Sequence, residues 1–312
     1  MRGATVCRTV LVGFDSRPEA ADALALGRAL AELSGATLLL ATVLPYGPTP
    51  ALGRETFERW LAEDSKQLFD PVLPELEGLD SRVYALGGGS PARKLHELAE
   101  DQQVDLIVVG STHRGALGRV LPGSVGERLL NGAPCAVAIA PRGFADREHF
   151  GLGVIGVAYD GTEESKLALA EAERLAGELG ASLRLIGVVP HVRVIPSRIG
   201  HTTVGYADVL RRHFRDVLDL GASRLPDAET VETMLEEGDP AAALAARGVE
   251  LDLLVMGSRG YGPLRRVLLG GVSAEVMRTA PCPVIVVPRA SASANGQRTD
   301  ESSAAATAAA SR

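Results

Sequence analysis

A chain of 312 residues, 46% hydrophobic and 23% charged, is long enough for two folded domains at roughly 150 residues each, and no apolar run nears the roughly 18 residues of a membrane span. Its net charge of -7 excludes the basic footprint of a nucleic-acid-binding surface. Three cysteines without CxxC or Cys/His spacing exclude a disulfide framework and a zinc module, and the opening MRGATVCRTV lacks the apolar core of a signal peptide, so the chain is expected in the cytoplasm.

The elements follow from two alternating periods. A short apolar run predicts a strand over 9-14 that ends at Asp15. Ala23, Leu26, Leu30 and Leu33 stand at helical spacing and predict a helix over 18-34. Ser16-Arg17-Pro18-Glu19 has capping-box spacing at its start, and Gly35 stops it. A strand near 37-44, a helix near 52-70, a strand near 81-87 and a helix near 91-101 come next. Leu106-Ile107-Val108-Val109 is apolar throughout, as a parallel strand buried on both faces requires, and marks a strand over 105-110. A helix near 123-131 and a strand near 135-140 complete the series. The repeated strand–helix alternation implies an α/β fold, an open five-stranded parallel sheet with helices on both faces.

The series then occurs again. Val10 to Pro45 aligns without a gap on Ile155 to Pro190 at a shift of 145, and Val104 to Val125 lies over Leu251 to Val272 at a shift of 147. A period this long is a duplicated domain and not a solenoid repeat. The expected organisation is a domain over 9-141, a second over 153-288 and a disordered tail over 289-312, which has too few large apolar residues to fold. Cys135 and Cys282 are equivalent across the repeat and read as small buried residues.

Open parallel sheets bind ligands beyond the carboxyl ends of their strands, where the strand order reverses. At those ends stand Asp15 and Asp160 after the first strands, and Gly110-Ser111 and Gly257-Ser258 after the fourth. Each fourth strand leads into a glycine- and arginine-containing loop and then a second glycine pair opening a helix, Gly123-Ser124 and Gly270-Gly271. Glycines admit close approach of an oxyanion to the backbone, so these loops are phosphate-binding candidates. There is no GxxxxGK[ST], and GLGVIG at 151-156 precedes a strand where a dinucleotide fingerprint must follow one.

On these residues each half resembles a universal stress protein domain, and the chain resembles a tandem member of that family with a Rossmann-like, adenine nucleotide alpha hydrolase-like fold. The ATP-binding members carry G-x2-G-x9-G-[ST] after the fourth strand and an aspartate at the end of the first. The second half supplies Gly257, Gly260 and Gly270; the first supplies Gly110, Gly123 and Ser124. Each half departs once: His113 stands where the second glycine belongs, and Gly271 where the hydroxyl belongs. Histidine is costly where φ must be positive, whereas a missing hydroxyl removes one hydrogen bond, so the second site is expected to be the better formed. Ser273 is a candidate to replace the hydroxyl.

The resemblance implies that Asp15 and Asp160 line the adenosine end of a cleft, that Val43 and Val188 offer backbone groups to adenine, and that the loop glycines wrap the phosphates of ATP, with or without Mg2+. Arg114, Arg119, Arg259, Arg265 and Arg266 are candidates to touch them. It implies a regulatory or sensing protein with little or no turnover. A slow Mg-dependent ATPase and an interaction scaffold with empty clefts remain the alternatives. It further implies that the last strands of the two halves pair within the chain, with a dimer of whole chains left open.

Overall fold

The computed structural model describes residues 8–47, 53–112, 117–147, 151–191, 204–226, 231–258 and 271–288. The expected tail, His113, Arg114, Arg259, Gly260, Arg265, Arg266 and Gly270 lie outside them. In the first half the strands are β1 (Thr9–Gly13), β2 (Thr37–Leu44), β3 (Ser81–Gly87), β4 (Leu106–Gly110) and β5 (Ala136–Ala140). Its helices are α1 (Pro18–Ser34), α2 (Arg54–Phe69), α3 (Pro91–Asp101) and α4 (Ser124–Leu130). The second half repeats them as β6 (Val154–Ala158), α5 (Glu163–Leu179), β7 (Ser182–Pro190), α6 (Val204–Ala222), β8 (Glu232–Gly238), α7 (Pro240–Arg247), β9 (Leu253–Gly257), α8 (Gly271–Thr279) and β10 (Val284–Val287).

Helix α1 ends as expected: Gly35 takes a left-handed φ of 67° and its N–H caps the Ala31 carbonyl, and Gly180 does the same for α5 at φ 64°. The start of α1 differs from the capping-box expectation. Arg17 is the N-cap, without a side-chain cap, and Pro18 opens the helix. Proline suits that position because its φ is already helical and no N–H is lost to the ladder. The carboxylate of Asp15, not the Ser16 hydroxyl, takes the Arg17 N–H, at 2.9 Å.

The ten strands form one sheet in the order β3-β2-β1-β4-β5-β10-β9-β6-β7-β8. Each half is parallel; β5 and β10 meet antiparallel, with Val284 opposite Ile139 and Val286 opposite Val137. The intrachain pairing of the last strands is thus present in the structure. Alternation along each strand sends Val10, Val12, Leu106 and Val108 to one face, with α1 and α5, and Leu11, Ile107 and Val109 to the other, with α3 and α7. Both cores run through both halves, because Ile285 joins the first and Val284 and Val286 the second.

Contacts beyond the sheet also cross the junction. Val120 N–H donates to the Ala280 carbonyl at 2.9 Å, and Arg147 to the Pro281 carbonyl at 2.9 Å. The segment after β5 is fixed by the buried Asp22 of α1, whose carboxylate accepts the N–H groups of Gly143 and Ala145, each at 2.9 Å. Among the described residues no helix is long and apolar enough to cross a membrane.

Candidate functional site

In each half the strand order reverses between the first and fourth strands: β2 flanks β1 and β5 flanks β4, as β7 flanks β6 and β10 flanks β9. The loops leaving the two central strands therefore diverge to opposite faces of the sheet and leave a crevice between them. A cleft of about 510 Å³ occupies that place in the first half and one of about 190 Å³ in the second. The larger falls within the usual range of small-molecule sites.

The first cleft brings together Asp15, Val43, Gly110, Gly123 and Ser124. Asp15 is held by its bond to Arg17 N–H, so the helix-start role and the cleft position coexist. Phe14 N–H donates to the Ala41 carbonyl at 2.8 Å, which shows Ala41 directing its backbone groups towards β1. Val43, two residues on, directs its groups the same way, past the end of β1 and into the cleft. Ser111 closes the base of the loop: its buried hydroxyl donates to the Ala140 carbonyl at 2.7 Å and accepts Leu121 N–H at 3.1 Å.

Gly110 and Gly123 of the first cleft differ in what their packing requires. A Cβ on Gly110 would overlap the Glu19 carbonyl of α1, and one on Gly257 would overlap the Glu164 carbonyl of α5, so both permit close helix–strand packing. Gly123 has φ -79° and ψ 179°, which any residue adopts, and a Cβ there would meet only Thr112, at 3.8 Å. Among the described residues nothing requires a glycine at 123, and Gly123 lines the cleft.

The second cleft gathers Asp160, Val188 and Gly257. Asp160 accepts the N–H and the hydroxyl of Thr162 at 3.1 and 2.5 Å, and Thr162 in turn caps α5 by accepting Ser165 N–H at 3.3 Å. Tyr159 N–H donates to Ile186 at 2.9 Å, which turns Val188 towards the cleft as Val43 is turned in the first. Gly271 begins α8 and is exposed, while its neighbours Val272 and Ser273 line the cleft. Ser273 is buried and donates its hydroxyl to the Gly257 carbonyl at 3.2 Å, so that proton is already engaged and is not spare for a phosphate. Phe214 of α6, Tyr159 and Met256 give this cleft a more apolar wall.

Arg119 is directed away from the first cleft and donates to the Thr279 carbonyl of the other half at 2.7 Å, which corrects its reading as a ligand contact. Sequence reasoning passed over Arg17 and Arg128, which do line that cleft. Arg128 reaches Ser90, the N-cap residue of α3, with its guanidinium at 3.0 Å from the hydroxyl. Ser90 and Pro91 line the first cleft and Pro240 the second, so the turns Gly89-Ser90-Pro91 and Gly238-Asp239-Pro240 both stand beside a cleft; Asp239 also caps α7 through Ala242 N–H at 2.9 Å.

Two parallel five-stranded units joined edge to edge, each with a cleft at its switch point, define a tandem Rossmann-like α/β protein. The family model described as the universal stress protein family matches residues 7–141 and again 152–288, so the chain belongs to that family, which has a role in stress response, and carries two of its domains. A universal stress protein of Mycobacterium tuberculosis is 28% identical over 294 residues, covering 90% of this chain and 99% of its own. One of Mycolicibacterium smegmatis is 31% identical over 288 residues, covering 89% and 96%. The crystal structure of a universal stress protein from Archaeoglobus fulgidus superposes with a TM-score of 0.61 at 23% identity, covering 91% of this chain and 97% of that one, which shows the shared fold.

Proposed function

We propose that the chain is a cytoplasmic ATP-binding universal stress protein that senses or signals nucleotide state with little or no turnover. The observation that carries this reading is the cleft of the first half, where Asp15, the backbone of Val43, and the Gly123-Ser124 pair converge at the strand-order reversal. Asp15 would meet the ribose and Val43 the adenine, with Gly123 admitting phosphate to the backbone and Ser124 donating to it. Gly123 supports the assignment in particular, since a bound ligand explains a glycine that the protein's own packing does not. In the second half Asp160, Val188, Gly257 and Gly271 would play the corresponding parts, with Gly260 and Gly270 in the loop.

Mg2+ would arrive on the nucleotide. Among the described residues no three His, Cys, Asp or Glu side chains converge, so the ion would be held chiefly by phosphate oxygens and water, with Asp15 or Asp160 as a neighbouring carboxylate. Self-association of whole chains belongs to the same reading, through the outer strands β3 and β8, which end the sheet.

Mass spectrometry of freshly purified, denatured protein tests the proposal. Co-purified ATP supports it. ADP that accumulates from added Mg-ATP, and ceases to do so in Asp15→Asn, would replace it with the slow ATPase. Absence of any adenine nucleotide, together with no thermal shift at millimolar Mg-ATP, would leave an interaction scaffold.

A further inference from the structure

The duplication supplies an internal control for charge. Helices α4 and α8 correspond at the shift of 147, so Arg128 and Glu275 are each the fifth residue of their helix. Ser90 and Asp239 are both N-cap residues, of α3 and α7. Arg17, on the first cleft, has Thr162 as its counterpart at the shift of 145. Across these three positions the formal charge passes from plus two in the first half to minus two in the second.

Arg128 is well placed to use its charge. It lies one helical turn beyond Ser124, on the same face, and both line the cleft with Gly123. Its guanidinium rests on the neutral hydroxyl of Ser90 at 3.0 Å, and no carboxylate lies within ion-pair distance of it among the described residues. Arg17, by contrast, has Asp15 at 3.6 Å. Exchanging a serine hydroxyl for phosphate oxygens replaces a neutral-acceptor hydrogen bond with a charge-assisted, bidentate one. In the second half Glu275 is exposed and Asp239 accepts Ala242 N–H as the cap of α7, so neither matching position offers the cation that Arg128 supplies in the first.

Resting on the nucleotide reading above, we propose that Arg128 is the residue by which the first cleft distinguishes a nucleoside polyphosphate from the bare nucleoside, and that the second half, with Glu275 at the matching position, lacks that device. One chain then holds one ATP tightly, in its first half, the reverse of the ranking expected from the departures at His113 and Gly271. The second cleft, smaller and with a more apolar wall among the described residues, gains less from the phosphates of a bound nucleotide because no arginine stands at the Arg128 position.

Isothermal titration of the nucleotide-stripped full chain with Mg-ATP and with adenosine tests this. Wild type should bind one ATP tightly. Arg128→Ala should weaken that ATP by about tenfold to a hundredfold, the range for a hydrogen bond to a charged group, while adenosine affinity stays within about twofold. Arg128→Lys should fall between, because it keeps the charge and loses the fork. Glu275→Arg should tighten a second ATP event. An unchanged apo melting temperature in Arg128→Ala certifies the fold, since the residue is exposed. The proposal is overturned if wild type binds two ATP equally, if Arg128→Ala leaves ATP binding unmoved, or if ATP and adenosine weaken together. Those results would leave the nucleotide reading standing, whereas a wild-type chain that binds neither compound overturns both.

Discussion

The N–H of Val120 donates to the carbonyl of Ala280 at 2.9 Å, so the segment that runs into the first cleft is bonded to the end of α8 in the opposite half. With β5 and β10 paired and both cores crossing the junction, neither half has a boundary along which to melt alone. Ile285→Asp, which buries a carboxylate in the shared core, should cost about 4 kcal/mol or more and lower the melting temperature by about 10 °C. Calorimetry should show wild type and variant each unfolding in one transition; two resolved transitions would refute the coupling.

The glycines separate packing from binding. Gly110→Ala should destabilise the protein by about 1–3 kcal/mol because its Cβ would overlap the Glu19 carbonyl. Gly123→Ala should leave stability within about 0.5 kcal/mol and reduce the thermal shift produced by Mg-ATP. Denaturant melts with and without nucleotide measure both, and the reverse pattern would move the ligand away from Gly123.

Asp22 gives a pH dependence. Burial raises its carboxyl above the ordinary 3.8, against the lowering effect of the N–H groups of Ala145 and Gly143. An acid with a higher pKa in the folded chain stabilises the fold while protonated; that contribution is complete below about 3.8 and is lost as pH rises through the raised value. Asp22→Asn lacks this titration. Its stability relative to wild type should therefore rise with pH across the mildly acidic range and level off near neutrality. A difference that is flat with pH in denaturant titrations would remove Asp22 as the source.

Cys282 should be inert in the native state. Burial pushes its thiol up to about 12, which leaves almost no thiolate at pH 8. Iodoacetamide labelling followed by peptide mapping should leave Cys282 unmodified until denaturant is added, and rapid native labelling would show that the β10 entrance opens.

Most of the fold was legible because strands covered on both faces are written as unbroken apolar runs. Leu106 to Val109 marks β4 directly, and α1 matches its expected span because Pro18 and Gly35 bracket it. The miss at Ser16 came from Pro18, which set the helix start by its own φ. The cleft was legible as residue types at strand ends, since the position of a crevice follows from strand order. What remained hidden depends on distant partners. Asp22 is an acid inside an Ala/Leu helix whose acceptor role is visible only when residues 121 and 123 positions away return to it. Arg119 and Arg128 look alike in sequence, but one meets Thr279 across the junction and the other meets Ser90 across the first cleft.

The antiparallel meeting of β5 with β10 has a consequence for how this protein changes over generations. In a homodimer joined by such strands, one coding change is inherited twice, once in each receptor. In the tandem chain the same change alters one receptor and spares its neighbour, and the pairing survives any dilution because the partner is always tethered. Two clefts can thus drift apart while the ratio between them stays fixed at synthesis.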